Sequence, residues 1–370
     1  MNKTPISIFT TAEGHLSIAC AVQQGLDHDY STHLNLNKGK EFALYAPMYL
    51  YFPKLNKITF KLAQGQKAKK LIQAYAKLTY QDKTIKALKK QRPKVTISCF
   101  YMYNPILDQT NTHNNYLSLN IVSDPRSISP VIPSSAATNF VFDSQAAEYC
   151  QKLGIPKNKI VESGWFVRDE FEQPYNQKQI RHKLHLKPDI TTFLIVAGSE
   201  GTNTILKNIP TFLGASEPLQ VIVACGNNKK LFSYIKTFSK VISSLQKNNH
   251  VIITPLSFTK DIHLYIKAAD LVIGKAGPNL LFESVATHTP FLATTHIYGQ
   301  EDGNLDIIHE YNLGFVEENP IKAAKLIKKL ANNPSILKQF KPSLKKLAKK
   351  NTLSKSILRN YIKKNLPTTS

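Results

Sequence analysis

Short apolar runs alternate with longer stretches of helical periodicity along most of this chain. Residues 6–10, Ile-Ser-Ile-Phe-Thr, form the first run and predict a strand. Gly14 and His15 then open a predicted helix that continues through Leu26. Further strands are predicted at residues 95–100, 116–123 and 139–143, with helical patterns between them. The second half is clearer, with strands predicted at 193–197, 221–224, 251–254, 271–273 and 291–293. Their starts fall about 20 to 30 residues apart, the spacing of β-α units. Such alternation builds a parallel sheet covered by helices on both faces. At 370 residues the chain is long for one core, so two domains are expected. The polar stretch 167–178, with Glu170, Glu172, Gln173, Pro174 and Asn176, is the expected joint.

Residues 270–314 hold the densest pattern. A short apolar strand at Leu271-Val272-Ile273 is followed by the turn Gly274-Lys275-Ala276-Gly277. Pro278 suits the first turn of a helix, where a missing N–H costs little. Leu280, Leu281, Val285 and Ala286 give that helix its apolar spacing. After the strand at 291–293 comes the polar loop Gly299-Gln300-Glu301-Asp302-Gly303-Asn304. In doubly wound sheets ligands bind at the carboxyl ends of strands, and anions sit at helix N-termini.

This stretch resembles the donor-binding half of GT-B glycosyltransferases, in particular the monogalactosyldiacylglycerol synthase and processive diacylglycerol glucosyltransferase family. That family groups with the peptidoglycan lipid N-acetylglucosaminyltransferase. The matching residues are Asp270, Ile273, Lys275, Gly277, Glu283, Gly299, Gln300, Glu301, Asn304 and Gly314. Weaker echoes lie at Gly14-His15, at Val122-Ser123-Asp124, across residues 153–171, at Ala197-Gly198-Ser199-Glu200-Gly201 and at Ala224-Cys225-Gly226-Asn227-Asn228. The family pattern is not followed throughout. Thr11-Ala12-Glu13 stand where glycines are usual, Pro278 replaces a second glycine, and Pro125-Arg126 follow Asp124.

The resemblance implies an α/β GT-B fold, two Rossmann-like doubly wound parallel-sheet domains facing a cleft. A first, acceptor-side domain is expected over 1–172 and a nucleotide-sugar domain over 173–333. Basic C-terminal helices over 334–370 would pack back on the first domain. It also implies an inverting transferase that moves glucose or galactose from a UDP-sugar to a lipid such as diacylglycerol. N-acetylglucosaminyl transfer to a polyprenyl-linked acceptor is one alternative. A lapsed enzyme that only binds membrane or nucleic acid is another. Donor contacts would come from Gly198, Ser199, Gly226, Asn227, Lys275, Gly277, Asn279, Glu283, Gln300, Glu301 and Asn304. Glu283, six residues past Gly277, would accept both ribose hydroxyls, although a helix acid there can also be a simple dipole partner. His15 is the candidate general base, since an imidazole can take a hydroxyl proton near neutral pH. Asp124 is the alternative base, or the group that orients His15. No cofactor and no metal are expected, because helix N-termini and backbone N–H groups can hold a diphosphate.

Composition adds one strong feature. The net charge is +23, and residues 321–370 carry fourteen Lys or Arg with no Asp or Glu. Such a tail implies an anionic partner, a phospholipid surface before any specific nucleic acid. Residues 47–60, Pro-Met-Tyr-Leu-Tyr-Phe-Pro-Lys-Leu-Asn-Lys-Ile-Thr-Phe, mix aromatics with lysine as interfacial segments do. Tyr49, Tyr51, Phe52, Lys54 and Lys57 are therefore the candidate membrane-binding residues. A basic helical segment follows, with Lys61, Lys67, Lys69, Lys70 and Lys77. No apolar run is long enough to span a bilayer. The four cysteines are far apart and form no metal motif. The expected location is cytoplasmic, on the inner face of the cell membrane.

Overall fold

The computed structural model describes residues 3–12, 14–37, 58, 60–62, 64–114, 116–196, 209–245 and 250–366. The strands form two six-stranded sheets, and every pairing is parallel. The chain divides into two compact units. One holds Met1–Asp169, Tyr298–Gly303 and Lys349–Ser370, and the other holds Glu170–Ile297 and Asn304–Ala348.

The first unit's sheet contains β1 (Pro5–Thr10), β2 (Ser31–Leu36), β3 (Val95–Ser98), β4 (Leu117–Ile121), β5 (Thr138–Val141) and β6 (Ile160–Glu162). Their order is β2-β1-β3-β4-β5-β6. The chain runs outward from β1 to β2, then returns past β1 to lay down β3. The order therefore reverses between β1 and β3. All four residues of β3 are buried, as both faces of a parallel sheet must be covered. The sequence pattern missed β2 and β6. Strand β2 reads Ser-Thr-His-Leu-Asn-Leu and lies half-exposed at an edge, while β6 is three residues long. Short, polar edge strands protect a sheet from unwanted pairing, and they leave no apolar run to read.

Helix α1 (Gly14–Leu26) follows β1, and α2 (Gln66–Gln91) precedes β3. The predicted basic segment after Lys61 leads into α2. This helix has two apolar faces. Ala76, Tyr80 and Leu88 are buried in one cluster with Phe100, Tyr103 and Leu107, and Thr84, in the same row four residues apart, is buried as well. On the other side Leu71, Tyr75 and Leu78 are 72%, 40% and 88% exposed. Positions i, i+4 and i+7 share one face of a helix, so these three form a stripe in water. The C-terminal helix Ser354–Asn365 packs on α1, where Lys355 pairs with Asp169. Arg359 and Lys363 approach Asp29 at 3.6 and 3.7 Å.

The second unit's sheet contains β7 (Thr191–Val196), β8 (Leu219–Gly226), β9 (Val251–Ser257), β10 (Leu271–Lys275), β11 (Phe291–Thr295) and β12 (Gly314–Val316). Their order is β12-β11-β10-β7-β8-β9, so the direction of winding reverses between β7 and β10. The core joins Phe193, Val221, Ile253, Ile273 and Leu330. Each predicted strand is present and slightly longer than its apolar run. Only β12, three half-exposed residues at the edge, escaped the pattern. Among the described residues, no helix is long and apolar enough to cross a membrane. Cys99, Cys150 and Cys225 are buried free thiols, and Cys20 is a half-buried one.

One ion pair fixes the entry of β10. Arg181 is buried and held from three sides. Its Nε reaches the Ala268 carbonyl at 2.9 Å, Nη1 the Pro188 carbonyl at 2.9 Å and Nη2 the Asp270 carboxylate at 2.7 Å. Asp270 also accepts the Thr192 N–H at 2.8 Å, which ties β10 to β7. Removing one partner of a buried pair strands the other charge. Asp270→Ala is expected to lose about 3 kcal/mol of stability, read as a lower denaturant midpoint. A loss under about 1 kcal/mol, the scale of an exposed pair, would contradict that role.

Candidate functional site

In the first unit the crevice between β1 and β3 receives His15. It is the second residue of α1, and its Nδ1 lies 3.1 Å from the Cys99 carbonyl just beyond β3. A carbonyl only accepts, so Nδ1 carries the proton and Nε2 is the acceptor nitrogen. The group that orients the ring is thus the Cys99 carbonyl. Phe100 packs beside the imidazole at 4.7 Å between centroids. Burial pushes the His15 pKa down to about 4, with the carbonyl hydrogen bond opposing the shift. The imidazole is therefore neutral at physiological pH.

Asp124 follows β4 and is buried. Burial raises its pKa to about 7; a hydrogen bond from Gln300 lowers it and the negative charge of Glu301 raises it. Gln300 and Glu301 lie in Tyr298–Gly303, the hexapeptide that belongs to this unit. Glu301 is itself buried. The hexapeptide is closed by the Gly299 N–H, which donates to Asp302 Oδ1 at 2.6 Å. Two residues past Asp124, Arg126 is buried and its Nη2 meets Asp143 at 2.6 Å. Its Nη1 reaches the Gln145 amide oxygen. Asp143 also caps α3 (Ser144–Lys152) by accepting the Ala146 N–H at 3.0 Å. Gly303 lies directly on Arg126, with its N–H donating to Ser127 Oγ at 3.1 Å. A methyl group at Gly303 would collide with the Arg126 Cβ.

In the second unit, β10 ends at Lys275 and α4 (Pro278–Ala286) begins three residues later. Gly277 is the N-cap, Pro278 is the first helical residue, and no side chain caps the helix. The Gly277 N–H turns back to the Lys275 carbonyl at 2.7 Å. Pro278 carries no N–H, so the first-turn N–H groups of α4 begin at Asn279. Gly274 makes the tight turn possible. A side chain there would meet Leu280 Cδ2 at 2.9 Å and the Val196 carbonyl at 3.1 Å. Glu283 sits half-buried in the second turn of α4. Asn304, in α5 (Asp302–Glu310), is buried and donates to the Ala276 carbonyl at 2.7 Å. Its amide braces the loop after β10.

Gly226 closes β8 with a φ of 56°, and Asn227 beyond it is exposed. Asn228, not Asn227, caps the following helix through the Leu231 N–H at 2.9 Å. Nothing in the sequence pointed to His296 and Glu318, which follow β11 and β12. Their Nδ1 and Oε1 atoms lie 2.6 Å apart. Gly198 and Ser199 lie outside the described residues, as do Tyr49, Tyr51, Phe52, Lys54 and Lys57. A hollow of about 1060 Å³ opens at the other end of this sheet, where Thr191, Asp270 and Pro290 enter their strands. It is remote from the carboxyl-end cradle in the order of each strand. Among the described residues no three His, Cys, Asp or Glu are grouped to hold a metal ion. The chain has one Asp-x-Asp spacing, Asp27-His28-Asp29, but it lies just before β2, at the sheet's amino-terminal end. There Asp27 bonds Thr32, and Asp29 pairs with His28.

The glycosyltransferase family 28 C-terminal domain matches residues 192–356. A processive diacylglycerol beta-glucosyltransferase of Staphylococcus aureus is 26% identical over 269 residues, 71% of this chain and 66% of the relative. The enzyme of the same description from Staphylococcus saprophyticus is 28% identical over 193 residues, 52% of this chain and 47% of its own. The chain thus spans less than two thirds of these relatives' length. Among solved structures, Acinetobacter baumannii MurG superposes with a TM-score of 0.61 at 15% identity, over 97% of this chain and 99% of its own. Anabaena Alr3699/HepE in complex with UDP-glucose gives 0.55 at 11% identity, over the same shares. The fold is that of the GT-B glycosyltransferases. Within that fold, the stretch that matches the family 28 C-terminal domain, residues 192–356, is somewhat less than half of the chain.

The raised pKa of Asp124 has a measurable consequence. Between about pH 4, the ordinary carboxylate value, and about pH 7 the folded chain keeps a proton that the unfolded chain has shed. This contribution favours folding at low pH and is lost as pH rises through that window. The Asp124→Asn variant cannot ionise. Its melting temperature relative to the parent should therefore climb from pH 4 to 8 and then level off. A difference that stays flat with pH would show that Asp124 is not held in its neutral form.

Proposed function

We propose that this chain is an inverting glycosyltransferase that moves a hexose from a UDP-sugar to a lipid hydroxyl, with diacylglycerol as the first candidate acceptor. The observation that carries this reading is the uncapped N-terminus of α4 at the end of β10, with Glu283 in its second turn, inside the stretch that matches the family 28 domain. A helix start of this kind attracts the pyrophosphate of a nucleotide sugar, and a carboxylate in the second turn can accept two ribose hydroxyls. The relatives described as diacylglycerol glucosyltransferases favour a lipid acceptor. Likeness to MurG keeps N-acetylglucosaminyl transfer as the second reading.

Transfer is a single displacement. The acceptor oxygen gives up its proton and bonds to the anomeric carbon. The bond from that carbon to the β-phosphate oxygen breaks, and its electrons leave with UDP. The helix N-terminus and backbone N–H groups stabilise the departing diphosphate without a cation. For the proton, Asp124 is the better matched acceptor, since a base works best when its pKa lies near the working pH. His15, neutral and with Nε2 as its acceptor nitrogen, would orient the hydroxyl.

A membrane site is supported by α2. Leu71, Tyr75 and Leu78 face water, and Lys67 and Lys70 near them are exposed. Apolar residues flanked by lysine suit the surface of an anionic bilayer. The aromatic segment 47–60 leads into this helix in sequence.

The direct test is UDP release from a panel of UDP-sugars with diacylglycerol vesicles, with and without EDTA. Release that survives EDTA supports the reading. Loss restored by Mg²⁺ or Mn²⁺ would overturn the cation-free leaving group, and no release from any donor would overturn the transferase. In calorimetry, Glu283→Ala should weaken UDP binding by about 1.5–3 kcal/mol, the scale of a charged hydrogen bond. Unchanged affinity in a folded variant would remove Glu283 from the donor site. Asp124→Asn should abolish turnover and remove the pH limb near neutrality, whereas His15→Ala should slow turnover and keep that limb. The opposite pattern would make His15 the base. In flotation assays, Leu71→Ser with Leu78→Ser should weaken binding to phosphatidylglycerol vesicles at high salt, where lysine attraction is screened. Equal flotation of parent and variant would take this face out of the contact.

A further inference from the structure

We propose that Arg126 is a positioning residue: clamped by Asp143 and Gln145, it holds the bend after Asp124 as the seat for Gly303, and thereby sets Asp124 against Gln300 and Glu301. The inference rests on Asp124 being the proton acceptor of the proposed reaction.

Three observations carry it. First, Arg126 is immobilised. A buried guanidinium is tolerable only when paired, and the carboxylate end of this clamp is fixed. Asp143 is buried and also caps α3, so the arginine is anchored to the start of a helix. Second, the seat is shaped for backbone alone. Gly303 rests on the Arg126 Cβ and backbone with no room for a methyl group, and its N–H is taken by Ser127 Oγ. Third, the seated segment is a closed unit. The Gly299 N–H bonds the Asp302 carboxylate, so Gln300 and Glu301 are held in a short loop that ends at the seat. A shift at Gly303 is therefore passed to both residues that act on Asp124.

The consequence has a sign. Burial is the largest influence on Asp124, and Glu301 acts in the same direction. Lifting the segment admits water and moves Glu301 away. Both changes favour the carboxylate, so Asp124 should titrate at lower pH. The lost Gln300 hydrogen bond opposes this but is the smaller effect beside burial. A role confined to holding the fold would lower stability without moving that titration.

The test uses the full chain and two variants that disturb the seat from opposite sides. Gly303→Ala leaves the Arg126–Asp143 pair intact and pushes the segment off it. Arg126→Lys keeps the charge and loses the two-pronged grip. Each is made with and without Asp124→Asn, and the melting-temperature difference that Asp124→Asn causes in each background is followed across pH. In the Gly303→Ala background the pH window of that difference should move down by about one unit or more, and in Arg126→Lys by a smaller amount. The pH limb of UDP release should move the same way. A window that stays in place in Gly303→Ala overturns the inference, whatever the activity. If the window moves but the parent chain releases no UDP from any donor, the positioning role stands and the transferase reading fails.

Discussion

A wholly parallel sheet has to be covered on both faces, and what its strands bury must be apolar or already partnered. In the second unit the strands are mostly Ile, Val, Leu and Phe, and most of β8 is buried. In the first, buried Thr96 bonds Ser118 and buried Asn120 bonds Asn139 within the sheet, so the loops at the strand ends are where polar groups can face a ligand. Each sheet reverses its winding once, between β1 and β3 and between β7 and β10. At a reversal the two neighbouring loops leave in opposite directions and open a crevice. His15 stands at the first reversal, bonded to the loop after β3. Gly277 and α4 stand at the second, with Gly274 close to the end of β7.

The two crevices are built for different charges. At the second, an uncapped helix start presents partial positive charge, and Asn304 braces the loop from behind. The first unit holds two titratable groups whose environments shift them in opposite directions, His15 at the reversal and Asp124 after β4. Burial brings His15 down to about 4 and Asp124 up to about 7. Of the two groups the carboxyl therefore keeps its proton to the higher pH, the reverse of their order in water. The sequence pointed first to His15 as the base because an isolated imidazole titrates near neutrality. Desolvation weighs against that expectation, and desolvation is a property of packing.

Much of the fold was legible because the signal was local. The run from Asp270 to Glu283 carries strand, turn, helix start and inward acid within fourteen residues, so its architecture could be read in one pass. Strands β2, β6 and β12 were not legible, being short edges with half-exposed side chains. Partnerships across long separations were also hidden. Arg126 stood out in the sequence only as a departure from the family pattern, and its partner Asp143 lies 17 residues away. The acid-free tail suggested charge reserved for an anionic surface. Some of that charge is met within the first unit, by Asp169 and Asp29. Asn304 matched the family motif, yet its amide is committed to the Ala276 carbonyl.

The central proposal is that each hexose is passed in a single inverting displacement, the first to a lipid hydroxyl. The mass and anomeric configuration of the lipid product test it most directly. Vesicles of diacylglycerol incubated with the full chain and an α-linked UDP-hexose should yield a lipid heavier by one or more hexose units, the first joined to glycerol by a β-linkage. Recovery of diacylglycerol unchanged, or of an α-linked product, would contradict the account.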